Sequence, residues 1–565
     1  MRLDGDVGFA ARSFLRSGGM TAEEVRRRPV IGICSSWSEL NPCNLPLSDL
    51  TAAVKRGVQE AGGVALVFPT ISLSEALVAP TTMFLRNLMA MDVEEMIAAS
   101  PIDGVVLLNG CDKTVAAQMM GAVSADAPAL SLGAGHRPTG SWRGQTLTID
   151  DSWRLADERR TGAIDDAAWL ELEGELSPGP GVCNVLGTAT TLAMVSEVLG
   201  LALPGSALAP AGSDSRTSAA EETGRQAVDA VRMGRRPRDQ VTQDALLDAW
   251  RVVCAVGGST NAVIHLQAIA GRAGITMTTS ELQEASRSTP TLARVRPNGP
   301  CPLEHLHDEG GVPAVVRELG DLLHLDRPTA SGASWREVVD ALPLRRGSAS
   351  RSEGRSGPAL TRRDAPVDPQ GAIAVLHGNL APDGAVLKRS AASPHLLRHA
   401  GPAVVFDGVK DLYHRIDDPD LVVSAESVLV LRLAGPVGGP GMPEVGALPI
   451  PAKLYRAGVR DMVRLSDARM SGTAAGTVVL HVSPEAAVDG PLALVQDGDV
   501  ISLDVDAGRL DLVVEPDELE RRMAARSPDP VRAGAADRGY RWLYANHVMQ
   551  ADKGCDFDFL QEATR

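Results

Sequence analysis

Short apolar runs alternate with helical patterns along residues 29–345. Val30-Ile31-Gly32-Ile33-Cys34 reads as a strand, and Leu47 to Ala61 as a helix whose apolar positions recur at helical spacing. Val64-Ala65-Leu66-Val67-Phe68 predicts a second strand, Thr81 to Ala99 a long helix, and Gly104-Val105-Val106-Leu107-Leu108 a third, buried strand. A strand apolar throughout has no face for water. This βαβαβ rhythm therefore predicts a parallel sheet covered by helices on both faces.

Residues 346–368 break the pattern with a polar, Gly/Ser-rich stretch that reads as a linker. Beyond it the chain turns β-rich: Ala372–Leu376, Ala403–Phe406, Val428–Leu431 and Val478–Leu480 are strand-like. Ile501 to Val514 predicts a hairpin turning at Asp506-Ala507-Gly508. The expected organisation is an α/β domain over 1–345, the linker, and a β-barrel-like domain over 369–565, ending from Pro516 in a mostly helical tail.

At 565 residues the chain is long enough for two domains, and 44% apolar content supplies a sizeable core. A formal charge of −16 argues against nucleic acid, whose phosphates demand a basic face. No apolar run of roughly 18 residues indicates a membrane span, and Met1 to Asp6 has no signal-peptide core. Seven widely spread cysteines do not read as a disulfide framework, so a reducing cytoplasm is expected.

Three of those cysteines change the picture. Cys43 in Asn41-Pro42-Cys43-Asn44, Cys111 in Gly110-Cys111-Asp112-Lys113 and Cys183 in Gly181-Val182-Cys183-Asn184 each occupy a loop that runs into a helical pattern. Helix N-termini and unpaired N–H groups favour anionic sulfur. Intervals of roughly 70 residues are too wide for a zinc finger or a small ferredoxin motif. They suit three loops of one α/β sheet converging on one point. Taken singly, each cysteine also fits a small core residue. Asp112 alone fits a helix cap, and Lys113 a solvated lysine. Ser259-Thr260-Asn261 is read as a cap for the helix that follows.

At this point the chain resembles the dihydroxy-acid and sugar-acid dehydratases over nearly its whole length. The resemblance is carried by Trp37 to Asn44, Phe68-Pro69-Thr70-Ile71-Ser72-Leu73-Ser74-Glu75, Gly110 to Thr114, Cys183 to Ala189 and Gly257 to Asn261. It continues through Gly378 to Gly384, Pro440-Gly441-Met442-Pro443-Glu444 and Ser466 to Thr473. Phe68 to Glu75 and the ending Gln550 to Leu560 look like the sugar-acid (pentonate) branch.

The resemblance implies a hydro-lyase that converts a sugar acid, or a related 2,3-dihydroxy acid, to a 2-keto-3-deoxy acid. It implies that Cys43, Cys111 and Cys183 hold a [2Fe–2S] cluster with an open iron acting as Lewis acid. Glu75, Asp112, Glu444 and a carbamylated Lys113 would hold Mg²⁺ for the substrate carboxylate and C2 oxygen, oxygen ligands suiting that hard cation. Ser471 would be the catalytic base, with Thr473 beside it, and the protein a homodimer or homotetramer. Pro46, Gly439, Ala475 and His136 to Thr139 depart from the pattern, as does an ending five residues past Leu560. The space expected at Gly439 and Ala475 suits a larger or less polar acid. Alternatives are a branched-chain dihydroxy-acid dehydratase, a non-catalytic iron–sulfur protein with a closed cluster, and a structural zinc site completed by Cys301.

Overall fold

The computed structural model describes residues 5–343, 357–526 and 538–561. Strands β1 (Val30–Ser35), β2 (Val64–Pro69), β3 (Gly104–Asn109) and β4 (Ala129–Gly133) form one parallel sheet in the order β2-β1-β3-β4. Every residue of β1 and β3 is buried, as their unbroken apolar sequences require. From β1 the chain crosses to one side of the sheet and from β3 to the other. The crevice beyond their carboxyl ends is thus a topological switch point, where sites form in open α/β sheets.

The helix Leu47–Glu60 buries Leu47, Leu50, Val54 and Val58 under the sheet. The helix Asp112–Ala125 is buried from Asp112 to Val123 on every side, which explains its lack of a polar stripe. A small insertion carries the hairpin β5 (Gly140–Trp142) and β6 (Gln145–Leu147) and the helices Asp151–Arg160 and Asp166–Glu175. It has its own core of Leu147, Leu155, Ile164, Ala168 and Leu172.

The second half closes into an eight-stranded barrel. Its strands are β7 (Ile373–Gly378), β8 (Ala381–Lys388), β9 (Arg398–Asp407), β10 (Val428–Arg432), β11 (Arg464–Ser466), β12 (Val478–Ser483), β13 (Val500–Asp504) and β14 (Arg509–Val513). They close in the order β10-β11-β12-β8-β7-β14-β13-β9, which leaves no free edge. Leu376, Leu387, Val430, Leu465, Val479 and Leu503 fill it. The expected hairpin is β13–β14, with Gly508 at φ +69 in its turn. The β8 and β11 strands escape the sequence reading, β8 because its first half is the Pro- and Gly-bearing stretch Ala381-Pro382-Asp383-Gly384 and β11 because it spans only three residues.

Two expectations need correction. Of the 346–368 linker, residues 346–356 lie outside the described residues, and 357–368 is no loose tether. Ala359 and Leu360 are buried, their N–H groups donate to the Glu309 carboxylate, and Leu360 and Asp368 bridge to Ala293 and Thr291. The tail is helical over Pro516–Ala525 and Gly539–His547 but then becomes an irregular strap. The buried Arg272 and Asp556 pair at 2.6 Å, and Arg86 donates to the carbonyls of Gly554 and Cys555. Among the described residues no helix is long and apolar enough to cross a membrane.

Candidate active site

The loops after β1, β2 and β3 are latched together by amides and hydroxyls. Asn44 donates to the Ser36 carbonyl (2.8 Å) and accepts from the Cys111 N–H (2.8 Å). Ser72 donates to the same Ser36 carbonyl and accepts from Asn41. Gly110 is required for the close approach: a Cβ there would stand 2.3 Å from Asn44 Oδ1. The Cys183 loop joins through Gly181 N–H to the Pro42 carbonyl (3.2 Å) and Val182 N–H to the Gly135 carbonyl (2.9 Å).

Cys43, Cys111 and Cys183 therefore meet at the switch point. The Cys43 and Cys111 thiols are neighbours placed to share a hydrogen bond, and Cys183 is near enough to feel the charge of Cys43. That bond, and the Arg137 guanidinium 3.6 Å from Cys43 Sγ, bring the Cys43 thiol down to about 7. At Cys111 the same bond, with burial, pushes the thiol well up, and burial pushes Cys183 up to about 12. In the metal-free protein the hydrogen bond with Cys43 at Cys111, and burial at Cys183, outweigh the pull of a helix end toward anionic sulfur. Cys34, Cys254 and Cys555 are buried in the cores, and Cys301 Sγ faces the carbonyls of Gly357 and Pro358.

Beside the thiols, oxygens of Glu75, Asp112 and Glu444 lie within 4.8 Å of one another, a grouping suited to a metal ion. The wholly buried Lys113 ammonium reaches all three, at 2.6 Å from Asp112, 3.0 Å from Glu444 and 3.1 Å from Glu75. Burial and Arg469 oppose its charge, yet the carboxylates outweigh them and hold it above the usual lysine range. The carboxylates are not equivalent. Burial raises Glu75 despite Lys113, while at Glu444 the Lys113 and Arg469 charges overcome burial and bring the carboxyl down to about 2. Glu444 Oε1 accepts from Lys113, Arg469 (2.8 Å) and Asn261 (2.8 Å).

Asn261 and Arg469 are site residues that the sequence reading missed. Thr260 makes no side-chain cap, so the cap reading fails there; Ser259 accepts from the Asn261 N–H, and Asn261 spends its amide on Glu444 and Thr188. Arg469 is buried, donating also to the Met442 carbonyl and to Thr81. Both lie in segments that carry the family resemblance, Gly257 to Asn261 and Ser466 to Thr473, but their partners do not follow from the local pattern.

The barrel loop between β11 and β12 carries Ser471 and Thr473 to the cysteine side. Their hydroxyls are 2.8 Å apart, and Thr473 also accepts from Trp153 Nε1 (2.8 Å). Gly472 permits the docking, since a Cβ there would meet Ser259 Oγ and the Thr188 N–H at 2.8 Å. The wholly buried Lys388 donates to the Gly472 carbonyl at 3.5 Å. The space expected at Gly439 is absent: a Cβ there meets Ala434 and Pro443 at 3.0 Å, and Ala475 is exposed. The Gln550 to Leu560 ending works from outside the site; the neighbouring Tyr544 hydroxyl accepts from Gly441 N–H in the loop that carries Glu444.

Residues 28–338 match the dihydroxy-acid/6-phosphogluconate dehydratase N-terminal family, and 359–555 match its C-terminal counterpart. The 6-deoxy-6-sulfo-D-gluconate dehydratase of Pseudomonas putida is 47% identical over 98% of this chain and 94% of its own. The L-arabonate dehydratase of Azospirillum brasilense is 45% identical over the same shares, 98% and 94%. A dihydroxy-acid dehydratase of Pyrobaculum neutrophilum is 38% identical over 98% and 97%. The chain belongs to the dihydroxy-acid/6-phosphogluconate dehydratase family, and it is a dehydratase, a hydro-lyase.

Proposed function

We propose that this dehydratase acts on a sugar acid, removing the C2 proton and the C3 hydroxyl to give a 2-keto-3-deoxy acid. The carrying observation is the convergence of Glu75, Asp112 and Glu444 oxygens beside three thiol loops and the Ser471–Thr473 pair. The relatives named for sulfogluconate and L-arabonate, at 47% and 45% identity, favour a sugar acid over a branched-chain acid, whose named relative is at 38%.

The donor set fits both groups that the family implies. Three carboxylates gathered around a cationic nitrogen are hard oxygen ligands for Mg²⁺, and a carbamate on Lys113 would add a fourth. Three thiols gathered at one point, one fewer than a closed four-cysteine cluster needs, fit a cluster with an open iron position. When bound, these groups supply Lewis acidity toward the acid's oxygens.

The chain's own residues do the rest. Ser471, as the alkoxide, takes the C2 proton; the C2 electrons form the C2–C3 double bond as the C3–O bond breaks, the C3 oxygen leaves as hydroxide and takes up a proton to depart as water, and the enol then relaxes to the ketone. The Thr473 N–H, 3.3 Å from Ser471 Oγ, helps hold the serine oxygen in its deprotonated, negatively charged form before it takes the proton. Arg469 and Asn261 fix Glu444, and the protein works as a homodimer or homotetramer in the cytoplasm.

An anaerobic screen of iron–sulfur-reconstituted enzyme with Mg²⁺ tests the proposal. Aldonates, 6-deoxy-6-sulfo-D-gluconate, L-arabinonate and branched 2,3-dihydroxy acids are compared for 2-keto acid formation. Turnover of a sugar acid is expected; turnover of branched acids alone overturns it.

A further inference from the structure

Trp153 lies on the helix Asp151–Arg160 of the insertion, 40% exposed, and its Nε1–H donates to Thr473 Oγ1 at 2.8 Å. An indole N–H is a donor and never an acceptor, so the direction of this bond is fixed. Thr473 Oγ1 is in turn 2.8 Å from Ser471 Oγ, a contact in which either hydroxyl can donate. With one Thr473 lone pair committed to Trp153, its own proton is free to point at Ser471, and donation into Thr473 strengthens its donation onward. Ser471 Oγ then receives two donors, the Thr473 hydroxyl and the Thr473 N–H.

We propose that Trp153 is a positioning residue that directs the Thr473 hydroxyl proton toward Ser471, stabilising the deprotonated serine oxygen. The inference rests on the reading of Ser471 as the base. It gives the insertion a part in the chemistry. The helix is held in place by Arg296, which pairs with Asp150 (3.0 Å) and Asp151 (2.8 Å), and by Arg160, which pairs with Asp417 on the barrel side. The charged and titratable groups on the elements packed around the chain are Asp151 and Arg154 on the Trp153 helix, Arg296 paired with Asp150 and Asp151, Lys388 against the Gly472 carbonyl, and Cys183, which meets Thr473 beside Gly187. None of them hydrogen-bonds Thr473 or Ser471 among the described contacts, so the chain's polarity comes from the indole.

The test is a double-mutant cycle on reconstituted enzyme, with 6-deoxy-6-sulfo-D-gluconate and L-arabinonate as probes and visible absorption checking that cluster and fold are intact. Trp153→Phe keeps the ring and removes the donor. It is expected to lower kcat about 10-fold with KM changed less than about twofold, the size of one hydrogen bond. It should also move the limb of the pH–rate profile that reports deprotonation of the base to higher pH. In a Thr473→Val background the same change should add nothing further, because Trp153 acts only through that hydroxyl. Trp153→Met, lacking both ring and donor, serves as the second variant and should behave in the same way. Additive losses, or a loss confined to KM, overturn the inference and make Trp153 a substrate contact. Ser471→Ala separates the two readings. If it retains more than about a tenth of wild-type kcat, the base assignment fails; if it is inactive while Trp153→Phe is additive with Thr473→Val, only the positioning role fails.

Discussion

Lys113 Nζ and Glu444 Oε1 stand 3.0 Å apart, one at the start of a sheet-domain helix, the other on a barrel loop. This bond, across 331 residues of sequence, closes the candidate metal site. Without Glu444 the site is a half-shell of Glu75 and Asp112, and two buried cations, Lys113 and Arg469, lose a shared counter-charge.

Glu444→Gln should therefore act twice. Mg²⁺ affinity, read by titration of activity or by calorimetry, should fall at least about tenfold and be partly rescued by excess metal. The metal-free protein should lose on the order of 3 kcal/mol in urea unfolding, the usual cost of leaving buried charge unpaired. An unchanged Mg²⁺ dependence would remove Glu444 from the ligand set.

The cysteines divide by position. Cys43→Ser, Cys111→Ser and Cys183→Ser should each bleach the visible absorption of reconstituted protein. Cys34→Ser, Cys254→Ser, Cys301→Ser and Cys555→Ser should keep the colour, because those thiols lie in packed cores or against backbone carbonyls. Full cluster content in Cys111→Ser would contradict the assignment.

Asp556 tests the strap. Arg272 and Asp556 are both wholly buried, and their pairing fixes the tail against the helix Asn261–Arg272. Asp556→Asn leaves Glu94 as the guanidinium's one charged partner among the described residues, beside the Ser124 hydroxyl, and should cost about 3–5 kcal/mol of unfolding free energy. A loss below 1 kcal/mol would mean that water reaches the arginine.

The sheet and its thiol loops were legible because their signals are local. Unbroken apolar runs mark β1 and β3, and Gly, Pro and Asn mark the turns that carry Cys43, Cys111 and Cys183. The closed barrel was legible as β-rich sequence, but β8 and β11 were not, since a Pro/Gly-bearing stretch and a three-residue strand leave little pattern. Asn261, Arg469 and Trp153 were illegible for a different reason. Asn261 and Trp153 acquire their partners only when the barrel docks on the sheet domain, and Arg469 meets Glu444 only when two barrel loops fold together, so none of the three contacts follows from local pattern. Gly439 shows the converse error: a small residue suggested space, and packing by Ala434 and Pro443 had already filled it.

Lys388 carries a prediction for stability against pH. Its ammonium is wholly buried, touches only the Gly472 carbonyl among the described hydrogen bonds, and is brought down to about 7 by burial, with Asp150 offsetting a little of it. In the unfolded chain an ordinary lysine keeps its proton to about 10.4. Between those values the unfolded state binds a proton that the folded state has released, so folding stability should rise with pH across that window. Below about 7 both states are protonated, the slope ends and the burial penalty is fully present. The slope from one such group is at most about 1.4 kcal/mol per pH unit. Lys388→Met removes the group. Urea unfolding at pH 7, 8 and 9 should show the variant gaining on the wild type as pH falls, with its own profile flatter by that one-proton slope. Parallel profiles for the two proteins would mean that Lys388 keeps its charge in the folded state.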